Sequence, residues 1–412
     1  MQVLYRCCAG LDVHKKVIVA SVRRMEPDGS VHEEMRSFGT MTRELLALSD
    51  WLQEEGVTQV AMESTGVYWK PVFNILEGRF EVLLVNAEHI KHVPGRKTDA
   101  KDSQWIAQLL QGGLLRGSFI PPKPVRELRD LTRHRAQVVA DHSRVIQRIQ
   151  KTLEDANIKL SSVATDIWGK SAQQMLGALV AGQEDPAKLA AMAHGRLKRK
   201  RAELELALEG RLSEHHRFLL KVLMDQAAHL EEIIEQLNVR MEEKMHPFAE
   251  AAQRLDTIPG VDQRTAQTIV AEIGIQMDVF PTDGHLASWA GICPGNHESA
   301  GKRKSGRTRK GSRWLRTALV QAAHAAAHTK GTYLSALYAR LAGRRGKKRA
   351  AVAVAHSILV CAYHMIKNGC TYSELGDDYL DRLNTKHHTR YYVKRLERLG
   401  YKVTLEQPPQ AA

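Results

Sequence analysis

The hydrophobic repeat changes near residue 120 from alternation by twos to a spacing of threes and fours, so the chain must fold as an α/β domain followed by helices. Arg6–Leu11 and Val17–Val22 read as strands around an Asp12–Lys16 turn, and Val31–Phe38 completes an antiparallel meander. Met41–Glu55 carries Leu45, Leu48 and Leu52 on one helical face, and Val57–Met62 and Glu81–Val85 are short apolar strands separated by a helix. From about Val125 to Met245 the strand signal is gone. Leu220, Leu223, Ala227, Leu230, Ile234, Leu237 and Met241 form a heptad seam there. It predicts an antiparallel helical pair or an oligomerisation arm, although a core stripe inside one bundle has the same spacing.

After His246-Pro247 the composition changes again. Leu255-Asp256-Thr257-Ile258-Pro259-Gly260-Val261-Asp262 followed by Thr265–Ile273 resembles a helix-hairpin-helix turn, which offers backbone N–H groups to a phosphate at a helix start. Asp262 stands where such turns carry a second glycine, and its charge repels phosphate, so a purely structural hairpin is the competing reading. The expected organisation is an α/β domain over 1–122, a helical coiled-coil arm over 123–250, a mostly helical domain over 251–376 and a tail over 377–412. No role is assigned to the tail.

A chain of 412 residues supports several independent cores without disulfides. Its five cysteines lack a CxxC pair and read as reduced thiols of a cytoplasmic protein. No run approaches the ~18 consecutive apolar residues of a membrane span, and Met1–Leu4 does not begin a signal peptide. Sixty Lys and Arg against 46 Asp and Glu leave a net charge of +14, which calls for a polyanionic partner, with nucleic acid ahead of membrane because no amphipathic anchor helix is evident.

The first constellation that carries chemistry is acidic. Asp12 lies at the end of the first strand and Glu63 follows the strand Val60-Ala61-Met62; Asp99 and Asp102 open the helix through Trp105, Ile106, Leu109 and Leu110. Three strands, a helix, then strands alternating with helices is the order of an RNase H-like (RuvC-like) mixed sheet. In that fold Asp12 and Glu63 share a sheet edge and the two aspartates, at i and i+3, face it. Such a cluster repels itself unless a cation neutralises it, and hard oxygen ligands suit Mg²⁺ or Mn²⁺. Taken singly, each acid is more often a turn or cap residue, and it is the joint spacing that singles out the set.

The second constellation is Trp289-Ala290-Gly291-Ile292-Cys293-Pro294-Gly295-Asn296-His297-Glu298-Ser299-Ala300-Gly301, followed by Lys302, Arg303, Lys304, Arg307, Arg309, Lys310 and Arg313. Seven cations without an acid, broken by glycines, suit a flexible loop along a phosphate backbone; the plain alternative is a solvated loop. Arg340 with Arg344, Arg345, Lys347, Lys348 and Arg349 forms a second basic cluster. A serine hydroxyl amid such cations can attack phosphorus once its proton is removed. Chemistry alone does not choose among Ser299, Ser305 and Ser312.

Taken together and in order, Gly-Leu-Asp at 10–12, Glu-Ser-Thr-Gly at 63–66, Lys-Thr-Asp-Ala-Lys-Asp at 97–102, Ile-Pro-Gly at 258–260, Trp-Ala-Gly-Ile-Cys-Pro at 289–294 and Glu-Ser at 298–299 closely resemble the DEDD transposases of the insertion-sequence one-ten and eleven-eleven group. The resemblance covers nearly the whole chain. It implies that Asp12, Glu63, Asp99 and Asp102 are RuvC-like metal acids and that Ser299 is the nucleophile of a transposase domain. It further implies a transient phosphoserine link to DNA, a serine of one subunit completing the carboxylate site of another, and a dimer to tetramer. A noncoding bridge RNA pairing with element ends and target, and a place in the bacterial cytoplasm with the nucleoid, complete the expectation. Asp262 and the long middle region depart from the family pattern. The competing functions are a RuvC-like nuclease or junction resolvase, which needs the acids and not the serine, and a non-catalytic nucleic-acid scaffold that needs only the basic segments.

Overall fold

A computed structural model describes residues 3–63, 66–86, 102–295, 297–383 and 385–406; at 297–299, 303–305 and 386–388 it describes the backbone alone. The chain divides into two compact units, Met1–Ile120 and Pro121–Ala412.

The first unit is a five-stranded mixed sheet with helices, consistent with the RNase H-like expectation. Its strands are β1 (Cys7–Val13), β2 (Val17–Met25), β3 (Val31–Gly39), β4 (Gln59–Glu63) and β5 (Glu81–Val85), in the order β3-β2-β1-β4-β5. The meander β1-β2-β3 is antiparallel, whereas β4 runs parallel to both β1 and β5. Alternation sorts the side chains between two layers. Ala9, Leu11, Val13, Val60 and Met62 pack against α1 (Thr42–Glu54) and α2 (Trp69–Leu76). Cys8, Ala61 and Val85 face α3 (Asp102–Gln111) with its Trp105, Ile106, Leu109 and Leu110.

Strand β1 runs through Asp12, which pairs with Val19, instead of stopping before it. The turn is tighter than the expected Asp12–Lys16 turn and is closed by the His14 amide donating to the Val17 carbonyl at 3.0 Å.

The second unit begins with α4 (Lys123–Asp155), whose Pro124 sits in the first turn, where no amide donor is required. Beyond it lie α5 (Leu160–Val163), α6 (Lys170–Val180), α7 (Pro186–Ala191), a 3₁₀ turn (Gly195–Lys200) and α8 (Arg201–Leu208). The chain returns along α9 (Glu214–Met245), opened by a capping box of Ser213 and His216. Helices α4 and α9 are antiparallel: Glu127 meets Lys244, Arg135 meets Asn238, His142 meets Glu231 and Asp155 meets His216. Of the heptad residues, Leu220, Ala227 and Met241 are fully buried. The seam therefore serves an intrachain hairpin. Its far end is capped by α5–α8, which enclose a core of Ile149, Leu153, Leu160, Met175, Leu176 and Leu204.

The remaining helices are α10 (Ala249–Asp256), α11 (Gln263–Ile273), α12 (Asp283–Ala290), α13 (Arg313–His328), α14 (Tyr333–Arg345), α15 (Lys347–Asn368), α16 (Tyr379–Arg382) and α17 (Thr385–Arg398). By length and mean hydropathy α15 could cross a membrane, which a count of uninterrupted apolar residues missed; half of its apolar stretch is buried, with Val354, Ile358 and Leu359 fully enclosed. It is the central core helix of this bundle, packed on α13 and α14.

One buried carboxylate joins three of these elements. Glu272 on α11 is fully buried; its two oxygens accept from Arg133 of α4 at 2.7 and 2.8 Å, and one also accepts from the Ser312 hydroxyl at the start of α13, at 2.9 Å. Arg129 donates to the carbonyls of Ala271 and Glu272, and burial pushes its guanidinium down to about 10, so that it remains charged at neutral pH.

Two stability predictions follow from these packings. A Cβ on Gly10 would lie 2.3 Å from the Ser103 carbonyl and 2.4 Å from the Ala107 amide, so Gly10→Ala should destabilise the first unit by about 1–3 kcal/mol in urea unfolding. An unchanged midpoint would mean that α3 does not rest on β1. Glu272→Gln removes the counter-charge of Arg133, which is partly exposed, and of Arg129, which is largely buried, and should cost the second unit about 3 kcal/mol. A loss below about 1 kcal/mol would place the pair among ordinary surface bridges.

Candidate active site

Glycine at position 10 places the first candidate site. With no side chain there, the backbone of α3 settles onto β1, helped by a 2.8 Å hydrogen bond between the Ser21 and Ser103 hydroxyls. Further along, the Cys8 thiol donates to the Ala107 carbonyl and the Gln111 carbonyl accepts from the Leu4 amide, so α3 runs antiparallel to β1. Its first residue, Asp102, thus lies at the end of the sheet where β1 and β4 terminate. Residues 12 and 10 share a face of β1, as 63 and 61 do on β4, and Gly10 is in register with Ala61. Asp12 and Glu63 are accordingly the next in-register pair, on neighbouring strands ~4.8 Å apart and on the face that α3 covers.

The structure brings Asp12, Glu63 and Asp102 to one end of one face. Asp99 lies outside the described residues. Asp12 is largely shielded, and one of its oxygens lies 3.0 Å from His14 Nε2. Glu63 is half-buried and Asp102 exposed. Among the described residues no group of three or more His, Cys, Asp or Glu side chains is close enough to hold a metal ion as it stands. The donor set at this end is nonetheless all carboxylate oxygen, the chemistry that suits a hard divalent cation. His14, adjacent to the acid and able to compete for it, was not singled out from the sequence.

The second candidate site is a β-ribbon and not the flexible loop expected from its glycines. Strands β6 (His297–Ser299) and β7 (Lys302–Ser305) pair antiparallel, and the ladder extends through Gly295 to Arg307 and Pro294 to Thr308. Glycine serves close packing at the base: a Cβ on Gly311 would lie 2.4 Å from the Ala290 carbonyl, and one on Gly291 would lie 2.8 Å from that of Arg309. The tip is a two-residue turn, Ala300-Gly301, with φ of 51° and 71°. Positive φ at both positions is what a type I′ turn requires, and at Ala300 it is a strained choice. Ser299 is the last residue before that turn. The register skips Lys304, a bulge that increases the twist of the ribbon.

Of the ribbon's cations, Lys302, Arg307, Arg309, Lys310 and Arg313 are exposed, and Arg313 lies over the Trp314 ring at 4.4 Å. Arg303 and Lys304 lie on β7 between them. Ser312 is otherwise occupied. Its hydroxyl caps α13 by accepting from the Leu315 amide and donates to Glu272.

The other basic cluster straddles Gly346, the corner between α14 and α15. Arg344, Arg345, Lys347, Lys348 and Arg349 are exposed, while Arg340 is turned toward Asp381 at 3.8 Å. Three of these cations occupy the first turn of α15, where the helix dipole disfavours positive charge and an anion would relieve it. In the 255–262 segment, Gly260 (φ 84°) rests against the α13 backbone at Ala322 and Ala326. Asp262 caps α11 by accepting from the Thr265 amide at 2.8 Å; although its partial burial raises the carboxyl, the Thr265 hydrogen bonds hold it below the usual range.

Comparisons with known proteins give two family matches, one spanning the described candidate acids and one spanning the ribbon. A DEDD transposase family model of the IS110 type matches residues 9–158, and the model of the transposase IS116/IS110/IS902 family matches residues 252–339. The transposase for insertion sequence element IS1111A of Coxiella burnetii is 26% identical over 283 residues, covering 66% of this chain and 68% of its own. The insertion element IS116 44.8 kDa protein of Streptomyces clavuligerus is 25% identical over 307 residues, covering 65% and 74%.

Because its hydroxyl is engaged in capping, Ser312→Ala should lower the stability of the second unit by about 1 kcal/mol in urea unfolding. A midpoint equal to that of the parent protein would show that the cap contributes nothing and return Ser312 to the list of candidate nucleophiles.

Proposed function

The chain belongs to the IS110 family of DEDD transposases, and we propose that it cuts and rejoins DNA with Asp12, Glu63, Asp99 and Asp102 as metal-binding acids and Ser299 as nucleophile. Membership makes it a DNA transposase, and a DEDD domain implies dependence on a divalent metal. The observation that carries the finer reading is the convergence of Asp12, Glu63 and the first residue of α3 on one end of one sheet face.

Mg²⁺ or Mn²⁺ suits these all-oxygen donors; when bound it neutralises the mutually repelling acids and polarises a phosphoryl oxygen. The serine performs the exchange. Its oxygen forms a bond to phosphorus as the bond from phosphorus to a sugar oxygen breaks; the hydroxyl proton is lost and the departing oxygen takes one up. A sugar hydroxyl from the second duplex then attacks the phosphoserine and releases the serine. The number of phosphodiester bonds is unchanged, so no external energy source is needed. Placement on a narrow ribbon tip suits the serine to reach a strand, and Lys302, Arg303, Lys304, Arg307, Arg309, Lys310 and Arg313 hold the flanking phosphates. Arg344, Arg345, Lys347, Lys348 and Arg349 supply a separate backbone contact, to which the unfavourable dipole position of the last three lends support. The same reading includes a bridge RNA, a dimer-to-tetramer assembly on the bacterial nucleoid, and DNA at both element ends and target.

Ser299→Ala should abolish the covalent protein–DNA adduct in a denaturing gel while leaving duplex affinity within about tenfold, since the side chain contributes at most one ordinary hydrogen bond to binding. Single-turnover cleavage that persists in this variant would instead identify a metal-dependent nuclease or resolvase. Asp12→Asn should remove metal-dependent strand exchange; exchange at the parental rate in that variant contradicts the acid assignment.

A further inference from the structure

The turn that follows β1 is held from two sides. The His14 amide donates to the Val17 carbonyl at 3.0 Å, and the Thr40 hydroxyl, just ahead of α1, donates to the Lys15 carbonyl at 3.0 Å. From this fixed backbone the His14 ring returns to the end of β1, where its Nε2 lies 3.0 Å from Asp12 Oδ2. An ionised carboxylate can only accept, so the ring donates through Nε2–H.

Stability does not account for the contact. The His14 side chain is 58% exposed, and a pair so open to water contributes little to folding. Its consequence falls on the partner, whose side chain is only 19% exposed. The final torsion of an aspartate has broad, two-fold wells, so an unheld carboxylate presents either oxygen. Here Oδ2 is engaged by a donor on an anchored turn, while Oδ1 has no hydrogen bond among the described residues. The plane of the carboxylate is thereby set, and one oxygen is left to bind.

We infer that His14 is a positioning residue: its Nε2–H holds Oδ2 so that Oδ1 of Asp12 is the oxygen offered to a divalent cation. The inference rests on the proposed role of Asp12 as a metal acid and deepens it, giving one oxygen to the metal and the other to the protein. Hydrogen-bond partners of ligating groups act in this way, fixing the ligand without touching the ion. His14 is not itself a ligand in this arrangement, because the nitrogen that faces the acid carries a hydrogen. Nor is it a rival of the metal. Rivalry and positioning predict opposite signs when the ring is removed.

The test is Mn²⁺ binding to the tightest site of the full-length protein, without DNA, read from the paramagnetic resonance signal of the free ion. His14→Ala should raise the dissociation constant about 10- to 100-fold, the usual cost of losing such an outer partner, and leave the urea midpoint of the first unit unchanged. His14→Gln, whose amide N–H can take the place of Nε2–H, should recover most of that affinity. Unchanged affinity in His14→Ala overturns the inference, and tighter binding overturns it in favour of rivalry. Hyperfine coupling of bound Mn²⁺ to a nitrogen that disappears in His14→Ala overturns it in favour of direct ligation. A lowered midpoint with no recovery in His14→Gln assigns the ring a structural role instead. Failure of the acid reading is distinguishable: the parent and Asp12→Asn would then bind Mn²⁺ alike, and the role of His14 falls with it. Loss of Mn²⁺ in Asp12→Asn with retention in His14→Ala overturns the inference alone.

Discussion

The second unit is organised around a carboxylate that water never reaches. Burying Glu272 is worthwhile only because both oxygens are satisfied at once, and the groups that satisfy them belong to elements far apart in sequence: Arg133 on the first helix of the hairpin and Ser312 at the base of the ribbon. Loss of Arg133 would strand the charge, and loss of Ser312 would remove one of its hydrogen bonds. Replacing such a cluster by apolar side chains can preserve stability, but it would discard the directionality that fixes three elements relative to one another. The bidentate geometry of Arg133 sets an angle as well as a distance, which a hydrophobic contact does not do. The ribbon consequently emerges from a fixed base, so the position of its tip is determined by residues that never approach the tip.

In the first unit the corresponding constraint is the absence of side chain. Gly10 and Ala61 sit side by side on β1 and β4, with Ser103 and Ala107 above Gly10. Small residues on both layers let a helix backbone approach a sheet more closely than the usual ~10 Å between layers. The approach determines where α3 begins, and therefore where Asp102 stands relative to Asp12 and Glu63. Acids at strand ends are common and seldom significant. What distinguishes this set is that the packing of a glycine brings a helix start to the same end of the same face.

Much of this was legible in the sequence where periodicity carries the information. The three-strand meander, the helix over Thr42–Glu54 and the heptad seam are all statements about which face is apolar, and burial follows them. What periodicity cannot supply is a partner. Glu272 reads as an ordinary polar residue of an amphipathic helix, because nothing local announces that Arg129 and Arg133, some 140 positions earlier, will enclose it. Glycine is ambiguous for the same reason: at 311 it suggests flexibility and instead permits two backbones to touch, and at 260 it rests against a helix backbone. Asp12 opens the expected turn, yet the ladder continues through it. The heptad seam was compatible with one chain or two, and only the paired contacts between α4 and α9 decide it.

A net charge of +14 opposes compaction, and the distribution of that charge indicates how the fold tolerates it. Cations needed for folding are matched: Arg129 and Arg133 by Glu272 and the end of α11, Lys244 by Glu127, Arg23 by Glu33. The exposed cations of the ribbon and the Gly346 corner are grouped where acids are scarce, at turns and helix ends and not across packed faces. Placing like charges together at such points costs electrostatic energy that dispersed lysines would avoid. A polyanion bound there offsets that cost, and its binding to the folded chain then adds to its stability by mass action. On the proposed reading, the residues that bear this electrostatic cost are the ones that line the path of the nucleic acid.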